Sequence, residues 1–136
     1  MDTSESAPLR VLVVEDYPDT RRTLRLLLRS WGHDVREAAD GPEALRVAAA
    51  FGPEVALLDL ALPRLDGLEV ARRLQEIGQS PRPLLVAVTA LTDPAHVREA
   101  LAAGFDHFFG KPCEPAQLES LLRAYHRARQ GMAALA

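Results

Sequence analysis

Four apolar runs of strand length constrain the fold of this chain more than any other feature, because each one stops at polar residues. The runs cover residues 11–14, 55–58, 84–88 and, more briefly, 108–109. The polar residues at their ends are Glu15, Asp16, Asp59, Thr89 and Lys111. Stretches with amphipathic helical spacing separate the runs. If the runs are parallel strands of one sheet, their polar successors meet at one edge, which is where open α/β sheets bind ligands.

Helix start and stop signals lie between these runs. Pro18 opens a first helix that Gly32 ends, and residues 33–39 then form a weaker strand that polar residues interrupt. The next helix runs through Phe51, the fourth closes at Gly104 and the last ends at Arg129. Start signals precede the later helices at Asp40 with Glu43, Asp66 with Glu69, Asp93-Pro94 and Glu114-Pro115.

Five strands alternating with five helices predict an α/β fold. Such alternation gives parallel strand pairing, right-handed crossovers and helices on both faces of the sheet. Continuous apolar runs suit interior strands, whereas the polar second strand and the short fifth strand suit the edges. The order 2-1-3-4-5 satisfies this requirement. This is the known strand order of the doubly wound, flavodoxin-like five-stranded sheet, and the predicted order matches it.

The length of 136 residues and the 48% apolar content fit a single domain with its own core. We predict a disordered lead over residues 1–8, one domain over residues 9–129 and a frayed tail over residues 130–136. With no room for a second folded domain, the expected protein is either a stand-alone module or a part excised from a longer one.

Charge and residue usage narrow the expected surroundings of the protein. A formal net charge of −3 argues against direct nucleic-acid binding. Cys113 is the only cysteine, so no disulfide or cysteine metal site forms within one chain. The polar, acidic start and the lack of any long apolar stretch are unlike a signal peptide or a membrane span. The prediction is a soluble, cytoplasmic protein without membrane contact.

The acidic residues predict a magnesium site. Glu15, Asp16 and Asp59 would bring three carboxylates together, and each close pair costs up to about 4 kcal/mol at an effective dielectric near 20. Lys111, the only lysine among 16 cationic residues, cannot offset this alone. Oxygen ligands open to water are what Mg²⁺ prefers. Asp59, at the end of the central strand, would then be a nucleophile toward a phosphoryl group, with Thr89 and Lys111 contacting phosphoryl oxygens.

In these residues the chain resembles response-regulator receiver domains, the CheY-like modules of two-component signalling, from about Leu9 to about Arg127. The motifs that carry the resemblance are the pair Glu15-Asp16, the stretch of residues 59–67, the pair Thr89-Ala90, and Phe108 three residues before Lys111-Pro112. Each motif alone is weak. Together, in this order and at these strand ends, they are highly specific.

The resemblance implies a phosphorylation-dependent switch in a phosphorelay. Asp59 would accept a phosphoryl group from a sensor histidine kinase or a histidine phosphotransfer protein. Asp16, Asp59 and the backbone carbonyl of Ala61 would bind Mg²⁺, with Glu15 assisting through water. Thr89 and Phe108 would be the switch pair that remodels the surface of helix 4, strand 5 and helix 5 for a downstream protein target.

Further details also follow from the resemblance. The chain would be no enzyme beyond magnesium-dependent phosphorylation and dephosphorylation of its own Asp59, and the Lys111-Pro112 bond would be cis. The departures are mild: glutamate replaces the commoner aspartate at Glu15, and Phe108 lacks the hydroxyl of the tyrosine that is also common there.

The sequence also allows two other functions. A constitutive docking module would keep the fold without being phosphorylated, but the intact Glu15-Asp16 pair, Asp59 and Lys111 count against it. A phosphohydrolase with an aspartyl-phosphate intermediate usually has a second acid two residues after the nucleophile, where this chain has Ala61. The four histidines show no metal-ligand spacing and are interpreted as structural or surface residues: His33, His96, His107 and His126.

Overall fold

The structure is a computed structural model that describes residues 8–77 and 82–135, with residues 132–135 as backbone only. The predicted lead lies outside the described residues except for Pro8, which is exposed. Strands alternate with helices along the chain in the order β1 Arg10–Val14, α1 Pro18–Ser30, β2 Asp34–Ala38, α2 Gly41–Phe51, β3 Val55–Leu58, α3 Gly67–Gln75, β4 Leu84–Thr89, α4 Pro94–Ala102, β5 His107–Gly110 and α5 Pro115–Leu135.

The five strands form one parallel sheet in the order β2-β1-β3-β4-β5, which confirms the predicted α/β fold and strand order. Val14 at the end of β1 is level with both Ala38 of β2 and Leu58 of β3, and Leu58 is level with Ala87 of β4. The carboxyl ends of the strands therefore lie along one edge, so the residues that follow them start from neighbouring positions.

Two apolar clusters cover the two faces of the sheet, because side chains alternate between faces along each strand. One cluster joins Leu12, Leu58 and Ala87 to helices α2, α3 and α4, and partly buried Phe108 packs against it. The other joins strand residues such as Val13 to helices α1 and α5. The central strands β1, β3 and β4 are buried almost throughout, as their continuous apolar sequences predict.

The predicted capping signals differ in how they act. The Asp40 side chain accepts a hydrogen bond from the Glu43 N–H at 2.9 Å, and Asp66 does the same for Glu69 at 3.0 Å. Helix α4 begins at Pro94 as predicted, but its N-cap residue makes no side-chain cap bond. The carboxylate of that residue, Asp93, pairs instead with His96.

The last helix extends further than the sequence predicts. Helix α5 continues to Leu135, whereas the pattern places its end at Arg129. A guanidinium nitrogen of Arg129 lies 3.0 Å from a carboxylate oxygen of Glu54, at the start of β3, and so holds this part of the helix against the sheet. Gly131 in the helix interior costs only about 1 kcal/mol relative to alanine, which does not stop it. The boundary of the domain at residue 129 stays a prediction.

No helix in the described part of the chain has the combined length and apolarity needed to cross a bilayer.

Candidate functional site

The predicted site residues sit at the carboxyl edge of the sheet because the backbone pairing of the strands continues into them. The N–H of Glu15 donates to the Ala38 carbonyl at 3.1 Å, and the N–H of Asp59 donates to the Val14 carbonyl at 3.1 Å. Thr89 is the last residue of β4, and its carbonyl accepts from the Lys111 N–H at 2.9 Å. These residues are therefore anchored to the sheet even where they lie beyond its strands.

Three carboxylates converge at this edge. Glu15, Asp16 and Asp59 each offer an oxygen within 4.8 Å of the others. Glu15 is 2% exposed and Asp59 7%, whereas Asp16 is exposed to solvent. Within the described residues this is the only group of three or more acidic, histidine or cysteine side chains with such spacing. The three predicted carboxylates thus lie together, two of them buried and one facing water.

Lys111 bridges two of the three carboxylates. Its ammonium lies 2.6 Å from an oxygen of Glu15 and 2.8 Å from an oxygen of Asp59. Burial lowers the pKa of Lys111, but the hydrogen bonds to Asp59 and Glu15 outweigh burial, so this pKa stands above its ordinary value. Lys111 is therefore fully charged at neutral pH.

Burial dominates at Glu15. It raises the pKa of the Glu15 carboxyl above its ordinary value, although the hydrogen bonds from Lys111 and from the Tyr17 N–H oppose the shift. The neighbouring Asp59 charge adds to the increase in the pKa. One ammonium therefore does not compensate for a buried, crowded pair of carboxylates, and a further cation at this edge would be favourable.

The carboxylate of Asp59 is oriented by two donors, one on each oxygen. The Ala61 N–H donates to Oδ1 at 3.0 Å and the Lys111 ammonium donates to Oδ2 at 2.8 Å. The loop after Asp59 returns tightly, because the Gly67 N–H donates to the Leu60 carbonyl at 3.1 Å. A Cβ at Gly67 would lie 2.5 Å from the Asp59 carbonyl oxygen, so glycine is required for this approach.

The two predicted switch residues lie on neighbouring strands. Thr89 is fully buried, and its hydroxyl oxygen accepts a hydrogen bond from the Leu91 N–H at 3.2 Å. Phe108 pairs in register with Ala87, two residues before Thr89, so alternation places Thr89 and Phe108 on the same face of the sheet. Phe108 is only partly buried in the apolar cluster of that face.

The sequence does not predict the contacts that Arg21 makes at the site. Arg21, from the first turns of α1, donates to the Glu15 carbonyl at 2.9 Å and to the Asp16 carbonyl at 3.5 Å. The same guanidinium donates to Glu37 of β2 at 3.0 Å. It therefore fixes the backbone of the acidic pair. Arg21 is one of several arginines on α1, and no local pattern distinguishes it.

A cavity of about 470 Å³ adjoins the site on the side of α1 and α5. Its walls include Lys111, Pro112, Cys113 and Leu27. The Lys111-Pro112 peptide bond is cis, as the resemblance implied. Burial raises the pKa of the Cys113 thiol, and the charge of Glu114 adds to this, so the thiol is protonated at neutral pH.

Known proteins are similar to this chain in sequence and in architecture. A family model described as response regulator receiver domain matches residues 11–123. The DNA-binding response regulator MtrA of Mycolicibacterium smegmatis is 35% identical over 130 residues, which cover 96% of this chain and 54% of MtrA. Response regulator MprA of Mycolicibacterium vanbaalenii is 40% identical over 120 residues, which cover 88% of this chain and 51% of MprA.

One solved structure is similar to this chain over nearly the whole length of the solved domain. The receiver domain of the sensor histidine kinase PA1611 from Pseudomonas aeruginosa, described with a magnesium ion coordinated in its active-site cleft, superposes with a TM-score of 0.80 at 31% identity. The alignment covers 88% of this chain and 98% of that domain.

The chain spans about half the length of MtrA and of MprA. One of these relatives is a DNA-binding regulator, so the expectation that the protein makes no direct contact with nucleic acid is not supported.

Proposed function

Because this chain belongs to the response regulator receiver domain family of two-component signalling, we propose that it is a switch whose state is set by phosphorylation of Asp59. The observation that carries the proposal is the cluster of three carboxylates at the carboxyl edge of the sheet, two of which share one ammonium. Such a site suits the transfer of a highly charged group, because cations can neutralise the charge of the transferred oxygens.

Asp59 is the proposed nucleophile. One of its carboxylate oxygens attacks the phosphorus of a phosphohistidine in a kinase or phosphotransfer protein. An O–P bond forms, the N–P bond breaks, and the histidine nitrogen retains the electron pair. The donors on both Asp59 oxygens orient the carboxylate before the attack, which lowers the entropic cost of the transfer. Autodephosphorylation by water reverses the modification, and no other substrate is required.

The residues at this edge fit a divalent cation. Glu15, Asp16 and Asp59 supply oxygen ligands within 4.8 Å of each other, and the exposed loop residue Ala61 supplies a backbone carbonyl. Bound Mg²⁺ contributes positive charge toward the oxygens of the transferred phosphoryl group. The magnesium described in the PA1611 receiver domain supports the same ion here.

Lys111 and Thr89 have separate proposed roles around the phosphoryl group. Lys111 keeps its charge and moves from Glu15 to a phosphoryl oxygen. Thr89 donates its hydroxyl hydrogen to another oxygen, and for this its side chain leaves the Leu91 N–H. The movement makes room on the face of the sheet that carries partly buried Phe108, which turns inward. The surface of α4, β5 and α5 then differs between the two states, and a downstream protein binds one state more tightly than the other.

Intact-mass spectrometry with acetyl phosphate as phosphodonor tests the proposal. In Mg²⁺ the wild type gains one phosphoryl group, and chelation of the metal beforehand prevents it. Asp59→Asn gains none. The matched control is Asp66→Asn in the same loop, because asparagine caps α3 as well as aspartate does, and this variant is modified like the wild type.

Two outcomes would count against the proposed switch at Asp59. If the wild type gains no phosphoryl group where an established receiver domain does, and beryllium fluoride with Mg²⁺ also fails to bind, the chain is a constitutive docking module. If Asp59→Asn is modified as readily as the wild type, the nucleophile lies elsewhere.

A further inference from the structure

The outer edge of the sheet at β2 presents backbone groups that pair with no other strand. Strand β2 pairs only with β1, and the bonds from the Asp34 N–H to the Leu9 carbonyl and from the Glu15 N–H to the Ala38 carbonyl fix which residues face inward. Because these bonds alternate in a parallel pair, the backbone of Val35 and Glu37 faces outward. Such an edge is a template for a further strand.

This edge lies at the bottom of a groove of about 480 Å³ between the end of α1 and the side of α2. Three arginines contribute to its walls, one from each surrounding element: Arg29 from α1, Arg36 from β2 and Arg46 from α2. Its apolar lining consists of Val35, Val47 and Ala50. We call this region the arginine groove.

The cations of the arginine groove are uncompensated. Among the described residues, no carboxylate forms an ion pair with Arg29, Arg36 or Arg46. The Arg36 guanidinium lies 4.8 Å from the centre of the Phe51 ring, which leaves its N–H groups free for an acceptor. The guanidinium of Arg29 makes one long hydrogen bond, of 3.4 Å, to the Val35 carbonyl.

The one carboxylate in the lining is already occupied. Glu37 accepts from Arg21 at 3.0 Å and also pairs with Arg25. The Nε of Arg25 is buried without a hydrogen-bond partner in the described structure. Positive charge is thus concentrated at this edge of a chain whose formal net charge is −3.

We infer that the arginine groove docks an acidic, extended peptide segment of a partner protein, which adds to β2 as a sixth strand. The outward backbone groups of Val35 and Glu37 would pair with the segment, and the Val35 carbonyl would give up its long bond from Arg29 to do so. Its carboxylates would contact the guanidiniums, whose planar geometry matches a carboxylate. On the α2 side of the sheet, acidic side chains of the segment would meet Arg36 and Arg46, and an apolar side chain would meet the wall at Val47.

Other occupants fit these features less well. A second copy of this chain pairing through β2 would place Arg36 near its own counterpart, so like charges would oppose each other. A nucleic-acid backbone would satisfy the guanidiniums but would leave the apolar wall and the outward carbonyl groups without matching partners, because phosphates accept hydrogen bonds and do not donate them.

The first experiment is fluorescence anisotropy with a labelled heptapeptide in which pairs of glutamates alternate with pairs of valines, so that each face of the extended peptide carries both residue types. We expect saturable binding that weakens as salt is added. The double variant Arg36→Gln/Arg46→Gln binds about tenfold more weakly, because two charge-assisted contacts are removed. The control is Arg22→Gln/Arg98→Gln, which removes the same charge from two exposed arginines outside the groove. It binds within about twofold of the wild type.

The second experiment tests strand addition through the backbone. With the peptide bound, the Val35 and Glu37 amides exchange more slowly with deuterium, and N-methylation of alternate peptide residues abolishes binding. Absence of binding at low salt overturns the proposal. Equal weakening by the two double variants overturns it as well. So does unchanged affinity for the methylated peptide, or tighter binding of a DNA duplex with the same dependence on Arg36 and Arg46.

Discussion

Glu15 and Glu37 both contact cationic side chains, yet their pKa values shift in opposite directions. Glu15 touches one ammonium, and burial dominates and raises its pKa. Burial is also the largest single influence at Glu37, but hydrogen bonds and charges from Arg25 and Arg21 together outweigh it and lower the pKa. The first glutamate belongs to a region with surplus negative charge, and the second to one with surplus positive charge.

The difference shows that the balance between burial and partners decides what a charged cluster can do. At the acidic edge Glu15 is 2% exposed, so an incomplete set of cations leaves a strong demand for another. At the arginine groove the side chain of Glu37 is 29% exposed, and water screens what the protein leaves unpaired. The acidic edge is therefore suited to a small cation, and the groove to a larger, weakly held ligand.

The largest expected effect concerns the backbone that holds the acidic edge. Gly67→Ala lowers the free energy of unfolding by about 3 kcal/mol, because the new Cβ collides with the backbone of Asp59 and Leu60. Urea denaturation measures this effect. Gly131→Ala in α5 is the control: a Cβ there has nothing within 4 Å, and alanine favours the helix. Equal stability of Gly67→Ala and the wild type would show that the edge does not depend on this close approach.

A smaller effect tests the shortage of cations at the acidic edge. Lys111→Met lowers the free energy of unfolding by about 2 kcal/mol in a chelating buffer, because Glu15 and Asp59 lose their shared partner. Saturating Mg²⁺ restores part of the loss. Arg123→Met, which breaks an exposed pair with Glu119, changes stability by less than about 0.5 kcal/mol. A Lys111 variant as stable as the wild type without metal contradicts the account.

The smallest effect concerns the ion pairs of Glu37 and their dependence on pH. Because the folded-state pKa of Glu37 is lowered, its ion pairs contribute stability above the unfolded pKa of about 4.3 and lose it as pH falls through the folded value. The free energy of unfolding of the wild type should exceed that of Glu37→Gln by up to about 1 kcal/mol near neutral pH. The difference should vanish in acid. Denaturation of both proteins from pH 7 to pH 3 measures this. A constant difference rules out the ion pairs as its source.

The sequence predicts most where strand ends determine position. Asp59 and Lys111 meet because parallel strands align their carboxyl ends, so apolar runs and their polar successors were sufficient evidence. The contacts of Arg21 with the acidic pair were not predictable, because a long side chain selects its acceptors only after the helix has packed. The pair of Arg129 with Glu54 was not predictable either, because the two residues are distant in sequence.

The span of α5 has a mechanical consequence. The helix begins at Pro115, four positions after the lysine of the acidic edge, and its 21 residues make a rod of about 32 Å. The Arg129–Glu54 pair ties this rod to the sheet six residues before its end. A tilt of the helix that starts at Pro115 would therefore have to pivot about this pair or break it.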